Sequence, residues 1–257
     1  MITLTPMAQL NATVILRREL SPGLFEIWIR PDEGIPDFLP GQYVALGLPE
    51  SHEGGEKEKL VKRAYSIASS PERKDALEFY IAEVTEGQLS PRLVRLTEGD
   101  RIFVQRKYVG TFTLESVPAG SDLVFVATGT GIAPFVSMLR THGTIEKYSS
   151  LTLLHGVRYS ADLAYRDELL ELQSKRGENF RYYATVSREG PPNWSGEHGY
   201  VQKFFTEGKV SVAPETHHLF LCGNPAMIEE VCQLLEGQGF KEHTKKQPGN
   251  IHFEKYW

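Results

Sequence analysis

The sequence of 257 residues is long enough for one large domain or two of moderate size, each with its own core. Its formal net charge of −5 argues against a protein that binds nucleic acid, which usually needs a basic surface. Cys222 and Cys232 are the only cysteines, which excludes a disulfide framework and a four-cysteine iron–sulfur site within the chain. No signal peptide is recognisable and no stretch approaches the ~20 apolar residues of a membrane span, so we expect a cytoplasmic protein without membrane contact.

The first half of the sequence predicts short β-strands separated by turns. Two β-rich runs at residues 13–20 and 24–30 flank the turn Ser21-Pro22-Gly23. A polar loop that contains glycine is expected at residues 50–59. Further strand-like runs lie at residues 43–48, 64–68, 77–84 and 101–105. Closely spaced short strands of this kind predict a β-barrel or sandwich.

After Gly120 the pattern changes to strands that alternate with helices. Residues 122–127 form an apolar run without alternation, which is typical of a strand buried on both faces. Similar strands are expected at residues 151–155, 182–186 and 219–222, and helices at 134–140, 167–174 and 225–236. This alternation predicts a parallel α/β sheet. We therefore expect a β-barrel domain at residues 1–117 and an α/β domain at residues 118–257.

The segment Arg63-Ala64-Tyr65-Ser66 has the side chains that a flavin needs. Its arginine can bind a phosphate, its tyrosine can stack on a planar ring, and its serine can bond to a heteroatom at the ring edge. Taken alone, such a short pattern is common and therefore weak. Its meaning depends on the motifs that follow and on their spacing.

Two glycine-containing turns could bind phosphate groups. In the first, Gly129-Thr130-Gly131-Ile132-Ala133-Pro134 follows a predicted strand and leads into a helix, where backbone N–H groups and the helix end favour an anion. It departs from the G-x-G-x-x-G fingerprint, and a plain strand-to-helix turn is the alternative. The second turn is Gly87-Gln88-Leu89-Ser90, which could hold phosphate. The alternative is that Ser90 caps the start of a helix, and the two interpretations are compatible.

Three further features lie near predicted strand ends of the α/β domain. Arg188, beside Ser187, can bind a phosphate monoester through its guanidinium fork, and Tyr200 can lie flat on an adenine. The alternative for both is a solvated surface residue. Cys222 ends a strand at the edge where ligands of α/β sheets lie, although a lone buried cysteine is more often part of the core. The histidines and cysteines lack zinc-like spacing, so we expect no metal site.

In this order and spacing, the motifs resemble those of the ferredoxin–NADP(+) reductase family. The segment Glu254-Lys255-Tyr256-Trp257 is most similar to the bacterial flavodoxin/ferredoxin reductases. Each motif is weak by itself, but the ordered set covers nearly the whole chain. The matching segments are Arg63-x-Tyr65-Ser66, Gly87-x-Leu89-Ser90, Gly129–Pro134, Ser187-Arg188-Glu189 and Cys222-Gly223-x-Pro225.

The resemblance implies an FAD-binding antiparallel β-barrel followed by an NADP-binding α/β domain with a parallel sheet. Tyr65 would stack on one face of the isoalloxazine and Tyr256 on the other, and Tyr256 would move aside for the nicotinamide. The implied FAD ligands are Arg63, Ala64, Tyr65, Ser66, Ile81, Ala82, Glu83, Gln88, Leu89, Ser90, Thr130, Tyr256 and Trp257. The implied NADP ligands are Gly129, Gly131, Arg158, Ser187, Arg188 and Tyr200. The implied catalytic residues are Ser66, Cys222, Glu254 and Tyr256.

The activity implied is hydride exchange between NADP(H) and flavin N5, coupled to one-electron transfer with ferredoxin or flavodoxin. Many bacterial members have arginine where Tyr200 stands here, which weakens the expected NADP preference. An acidic partner would need a basic face on a chain of net charge −5. The basic residues expected to supply that face are Arg92, Arg95, Arg101, Arg106 and Lys107.

Two other functions remain open on the sequence. One is an NAD(P)H-dependent reductase component that serves another acceptor, such as an oxygenase system. The other is a non-catalytic electron-transfer or regulatory subunit that binds flavin without using a pyridine nucleotide. Arg188 and Cys222 argue against the second.

Overall fold

The computed structural model describes residues 10–50 and 59–256, so Trp257 and most of the loop expected at residues 50–59 lie outside it. The chain divides into two compact units, Met1–Thr111 and Phe112–Trp257. This division precedes the predicted boundary after residue 117. The reason is that the Phe112 ring packs in the second unit, with centroids 5.7 Å from Phe135 and 5.3 Å from Phe220.

The first unit contains the predicted antiparallel sheet. Its strands are β1 (Ala12–Ser21), β2 (Leu24–Pro31), β3 (Tyr43–Pro49), β4 (Leu60–Ser66), β5 (Leu77–Ala82) and β6 (Arg101–Val104), with a short helix α1 (Ser90–Leu93). The strand order is β4-β3-β6-β1-β2-β5. Just beyond β4, the Ala68 N–H donates to the Glu78 carbonyl of β5 over 2.9 Å, which joins the two ends of the sheet. Alternate apolar residues such as Leu46 and Phe79 fill the interior of this barrel.

The second unit is a six-stranded sheet in which every strand pair is parallel. Its order is β10-β9-β8-β7-β11-β12. The strands are β7 (Asp122–Thr128), β8 (Ser150–Val157), β9 (Phe180–Val186), β10 (Glu197–His198), β11 (His217–Gly223) and β12 (Ile251–Lys255). The helices are α2 (Ala133–Arg140), α3 (Arg166–Arg176), α4 (Lys203–Thr206) and α5 (Pro225–Glu236). Edge strand β12 is an addition to the predicted elements.

The strand order of this sheet reverses beside β7. The chain first adds β8 and β9 on one side of β7 and later adds β11 and β12 on the other. In open α/β sheets, ligands bind outside the carboxyl ends of the strands at such a switch point. The turn after β7 and the residues after β11 therefore flank the expected ligand position. No helix in the described ranges combines the length and apolar character needed to cross a bilayer.

Candidate functional site

In the first unit, two of the predicted flavin motifs meet. Arg63 lies on β4, where its Nη2 donates to Gln88 Oε1 over 3.0 Å and its Nη1 donates to the Lys62 carbonyl over 2.8 Å. Tyr65 lies two residues further along the same strand, so it shares a strand face with Arg63. Burial raises the pKa of Tyr65 to about 12, against the opposing effect of Arg63, so the phenol stays neutral. A cation and a neutral aromatic ring on one strand suit a phosphate and a flavin.

The turn before α1 is too tight for any residue other than glycine at its first position. A Cβ on Gly87 would lie 2.8 Å from the Val84 carbonyl oxygen, which the Gly87 N–H already approaches to 2.7 Å. Ser90 is the first helical residue and does not cap α1; its hydroxyl accepts the Val84 N–H over 3.0 Å. Leu89 packs in the barrel core, so only its backbone is available to a ligand. This compact turn fits a pyrophosphate through backbone groups and Gln88.

The other predicted flavin residues of this unit lie nearby in the chain. Ala64 and Ser66 complete the motif on β4, with Ser66 as its last residue. Ile81 and Ala82 end β5, and Glu83 follows with its N–H donated to the Gly23 carbonyl. The Ile81 side chain belongs to the core, so it can contribute only backbone contacts.

In the second unit, the glycine-rich turn after β7 packs directly on the end of β11. A Cβ on Gly131 would lie 2.3 Å from the Cys222 carbonyl oxygen, so a side chain cannot be accommodated there. The Asn224 N–H donates to Thr128 Oγ1 over 2.8 Å and ties the same two segments together. The turn itself is a 3-10 segment, Gly129–Ile132, that leads into α2. The turn Gly129–Ile132 and the end of β11 at Cys222 thus form one interlocked surface.

Cys222, Glu254 and Tyr256 gather beside this turn. Cys222 of β11 pairs in register with Glu254 of β12, and the Tyr256 N–H donates to the Gly223 carbonyl over 3.1 Å. The Tyr256 hydroxyl lies 3.5 Å from the Thr130 carbonyl oxygen. Burial, followed by the charge of Glu254, raises the pKa of the Cys222 thiol far more than its hydrogen bond with Tyr256 lowers it. A protonated thiol suits positioning of a ligand and does not suit nucleophilic attack.

The residues predicted to bind the adenosine end lie at the carboxyl ends of β8, β9 and β10. The Arg188 N–H donates to the Arg158 carbonyl over 2.9 Å, which places the two exposed arginines side by side in the backbone. The Ser187 hydroxyl donates its hydrogen to the Val157 carbonyl over 3.1 Å. Ser187 Oγ can therefore still accept a hydrogen bond from a ligand, but it has no second hydrogen to donate. Tyr200 is 74% exposed, as expected for a ring available for stacking.

Two side chains have positioning roles that the sequence does not predict. Glu189 Oε2 accepts the Ser160 N–H over 2.5 Å, and this bond lowers the pKa of the Glu189 carboxyl. It thereby ties the turns that carry Arg158 and Arg188. His155 bonds to the glycine-rich turn from inside the sheet. Neither role has a local sequence signal, because both depend on contacts between distant segments. In the ranges that the structure describes, no group of three potential metal ligands forms a site.

Comparison with known proteins first defines the class. The family model for the oxidoreductase FAD-binding domain matches residues 24–112, and that for the oxidoreductase NAD-binding domain matches residues 125–233. The chain is thus built as a two-domain flavin- and pyridine-nucleotide-dependent oxidoreductase.

Individual relatives define the family. The flavodoxin/ferredoxin–NADP reductase of Buchnera aphidicola subsp. Baizongia pistaciae is 32% identical over 254 residues, covering 96% of this chain and 98% of the relative. That of Escherichia coli strain K12 is 36% identical over 227 residues, covering 86% and 88%. A ferredoxin NADP+ reductase structure from Neisseria gonorrhoeae with bound FAD and NADP superposes with a TM-score of 0.83 at 27% identity, covering 95% and 97%. The chain belongs to the ferredoxin/flavodoxin–NADP reductase family.

Proposed function

We propose that this chain is an FAD-dependent ferredoxin/flavodoxin–NADP(+) reductase that uses NADP(H) as its nucleotide substrate. The observation that carries the proposal is the interlocked surface at the switch point, where Cys222, Glu254 and Tyr256 meet the turn after β7. Membership of the ferredoxin/flavodoxin–NADP reductase family supports ferredoxin or flavodoxin as the electron acceptor. A cytoplasmic location remains a prediction.

The chain's own residues serve to bind and orient. When bound, FAD supplies the conversion between hydride transfer and single-electron transfer. Arg63 and Gln88 would hold its phosphates, and the neutral Tyr65 would stack on its ring. Ser66 would bond near N5. In the second unit, the protonated Cys222 and the carboxylate of Glu254 would orient the nicotinamide, and Tyr256 would yield its place to it. The stacking of Tyr256 on the flavin and the contact of Trp257 with adenine remain predictions.

Nucleotide preference tests the proposal most directly. We expect NADPH to bleach the visible absorbance of the anaerobic, FAD-loaded protein much faster than NADH does. The reason is that Arg188 and Arg158 offer charge-assisted bonds to a 2′-phosphate. Arg188→Ala should raise the KM for NADPH about tenfold, the effect of losing a bond of about 1.4 kcal/mol, while the KM for NADH stays unchanged. Stopped-flow absorbance with both nucleotides measures this.

Arg181→Ala is the matched control, because Arg181 is an exposed arginine near the start of β9, whereas Arg188 follows the end of that strand. It should leave both KM values unchanged. Equal bleaching by NADPH and NADH in the wild type would argue for a reductase of different nucleotide specificity. Absence of bleaching by either nucleotide would favour a non-catalytic flavin subunit.

The basic residues proposed for partner docking differ in the charge they can offer. Arg101 forms an ion pair with Asp32, and Arg106 with Glu33. Arg92 donates to the Pro49 carbonyl. Arg92 keeps its charge but is held at Pro49, and Arg95 and Lys107 form no ion pair with any residue that the structure describes, so these two are the stronger candidates for contact with an acidic partner.

We expect Arg95→Gln combined with Lys107→Gln to slow ferredoxin reduction about tenfold at low salt and to flatten its salt dependence. Reduction of ferricyanide, a small acceptor that needs no protein docking face, should be unaffected. Steady-state rates across a salt series measure both. Arg106→Gln combined with Glu33→Gln is the matched control and should have little effect, since it removes an ion pair whose two charges cancel. Equal salt dependence for ferredoxin and ferricyanide in the wild type would contradict a docking role.

A further inference from the structure

His155 is a buried, hydrogen-bonded imidazole in β8 that the proposed chemistry does not use. Its Nε2 lies 3.2 Å from the Gly129 carbonyl oxygen, and its Nδ1 lies 3.4 Å from the Tyr182 hydroxyl. A carbonyl oxygen can only accept, so Nε2 must carry the hydrogen. In the neutral ring Nδ1 is then an acceptor, and Tyr182 donates to it. The two contacts together select one tautomer of His155.

The imidazole acts as a neutral donor. Burial lowers the pKa of His155 to about 4, although the bond to Gly129 opposes that shift. Burial also raises the pKa of Tyr182, so its hydroxyl keeps its proton. Both groups therefore hold their hydrogen-bonding roles throughout the neutral pH range.

The acceptor of this bond belongs to the glycine-rich turn. Gly129 has a φ of 53°, a left-handed conformation that favours glycine, and it begins the segment Gly129–Ile132. Other contacts fix the rest of the turn: Gly131 packs on the Cys222 carbonyl, and the Thr130 carbonyl faces the Tyr256 hydroxyl. His155 thus fixes the entry to the turn from within the sheet. Without the His155 N–H, the Gly129 carbonyl would lose a hydrogen-bond donor, and the turn would lose one of the contacts that hold it in place.

We propose that His155 is a positioning residue for the pyrophosphate–nicotinamide part of the dinucleotide. Its Nε2–H fixes the Gly129 carbonyl so that the turn keeps its backbone N–H groups available to that part of the ligand. This inference rests on the proposed function, in which the turn receives NADP(H). The adenosine 2′-phosphate is assigned to Arg158 and Arg188, at the ends of β8 and β9, so its binding does not require His155.

The test compares two amide substitutions in the FAD-loaded protein. The amide nitrogen of glutamine reaches about as far from the backbone as Nε2, whereas that of asparagine reaches only as far as Nδ1. His155→Asn should therefore lose the bond to Gly129, and His155→Gln should keep it. We expect the Kd for NADP+ to rise about tenfold in the asparagine variant and at most about threefold in the glutamine variant. The Kd for 2′-AMP, which lacks both pyrophosphate and nicotinamide, should be unchanged in both.

Leu153→Ala is the control for general destabilisation. Leu153 is fully buried, two residues from His155 on the same strand, and outside the proposed nucleotide contacts. It should lower the melting temperature without changing either Kd. The inference is overturned if wild-type and asparagine proteins bind NADP+ equally well, if 2′-AMP is weakened as much as NADP+, or if Leu153→Ala weakens NADP+ to the same degree. Failure of the wild type to bind NADP+ at all would instead reject the proposed function.

Discussion

Replacing Gly131 with alanine is expected to abolish most of the NADPH-dependent activity and to destabilise the second unit. The added Cβ would lie 2.3 Å from the Cys222 carbonyl oxygen, 2.6 Å from its carbonyl carbon and 2.9 Å from the Gly223 Cα. All three are backbone atoms, so no side-chain rotation can relieve the clash. The turn and the end of β11 must therefore separate, which displaces Cys222 from its place beside Glu254 and Tyr256.

Two measurements check this prediction. Overpacking of this kind costs about 3 kcal/mol, so the melting temperature should fall by roughly 10 °C. The kcat/KM for NADPH should fall about 100-fold, because displacements of about 1 Å in positioning groups have effects of that size. The FAD content should fall much less than the NADPH-dependent activity, since most of the proposed FAD ligands, such as Arg63 and Tyr65, lie in the first unit, whereas Gly131 lies in the second.

Gly237→Ala is the matched control. Gly237 follows α5 with a φ of −62°, and its added Cβ would meet nothing within 4 Å. Alanine there should leave activity unchanged and stability unchanged or slightly higher. A Gly131→Ala protein with wild-type melting temperature and wild-type NADPH turnover would show that the close approach to Cys222 has no role in the site.

The regular elements were largely predictable because their patterns are local. The apolar run at residues 122–127 and the periodic segment at residues 225–236 each recur as β7 and α5 with little change. Edge strand β12 was not predicted. Its sequence, Ile251–Lys255, mixes apolar and charged residues, and it becomes a strand only by pairing with β11. Strand pairing is a tertiary event that a single short segment does not encode.

The candidate site shows the same limit. The sequence identified Glu254 and Tyr256 only through the family resemblance and Cys222 also from its position at a predicted strand end, but no local pattern places Glu254 opposite Cys222. That juxtaposition follows from the register of β11 and β12. For His155 the sequence spacing excludes a zinc site and indicates no other role. Its bond to Gly129 joins residues 26 positions apart, so only the folded sheet reveals it.

Buried histidines lead us to expect that the second unit loses stability in mild acid. Burial lowers the pKa of His155 to about 4. Burial, with the neighbouring His243 and His218, lowers that of His252 to about 3. The His252 ring stacks on Phe220 at 4.2 Å and on His243 at 4.5 Å, and its Nε2 lies 3.4 Å from His218 Nδ1. A proton on His252 would thus have no carboxylate among these ring neighbours.

The sign of the effect follows from proton linkage. The unfolded chain binds protons on these histidines near pH 6.5, whereas the folded chain binds them only near pH 4 and below. The stabilisation is therefore complete above about pH 6.5 and is lost as the pH falls toward the folded-state values. A pKa that lies about two and a half pH units below the unfolded-state value, as for His155, corresponds to a contribution on the order of 3 kcal/mol to the free energy of unfolding. Carboxyl groups such as Asp32, whose pKa is lowered by Arg101, change the stability with pH only below about pH 5.

Urea unfolding followed by circular dichroism between pH 5 and 6.5 isolates the histidine contribution. Each buried histidine should add a slope of about 1.4 kcal/mol per pH unit once its unfolded form is protonated. His252→Gln should reduce the slope by that amount, whatever it does to stability at pH 7.5, because glutamine has no proton to gain. His198→Gln, at an exposed histidine, is the control for the histidine-to-glutamine exchange itself. A His252→Gln slope equal to that of the wild type would mean that His252 is already protonated in the folded protein, and that the ring stack tolerates the charge.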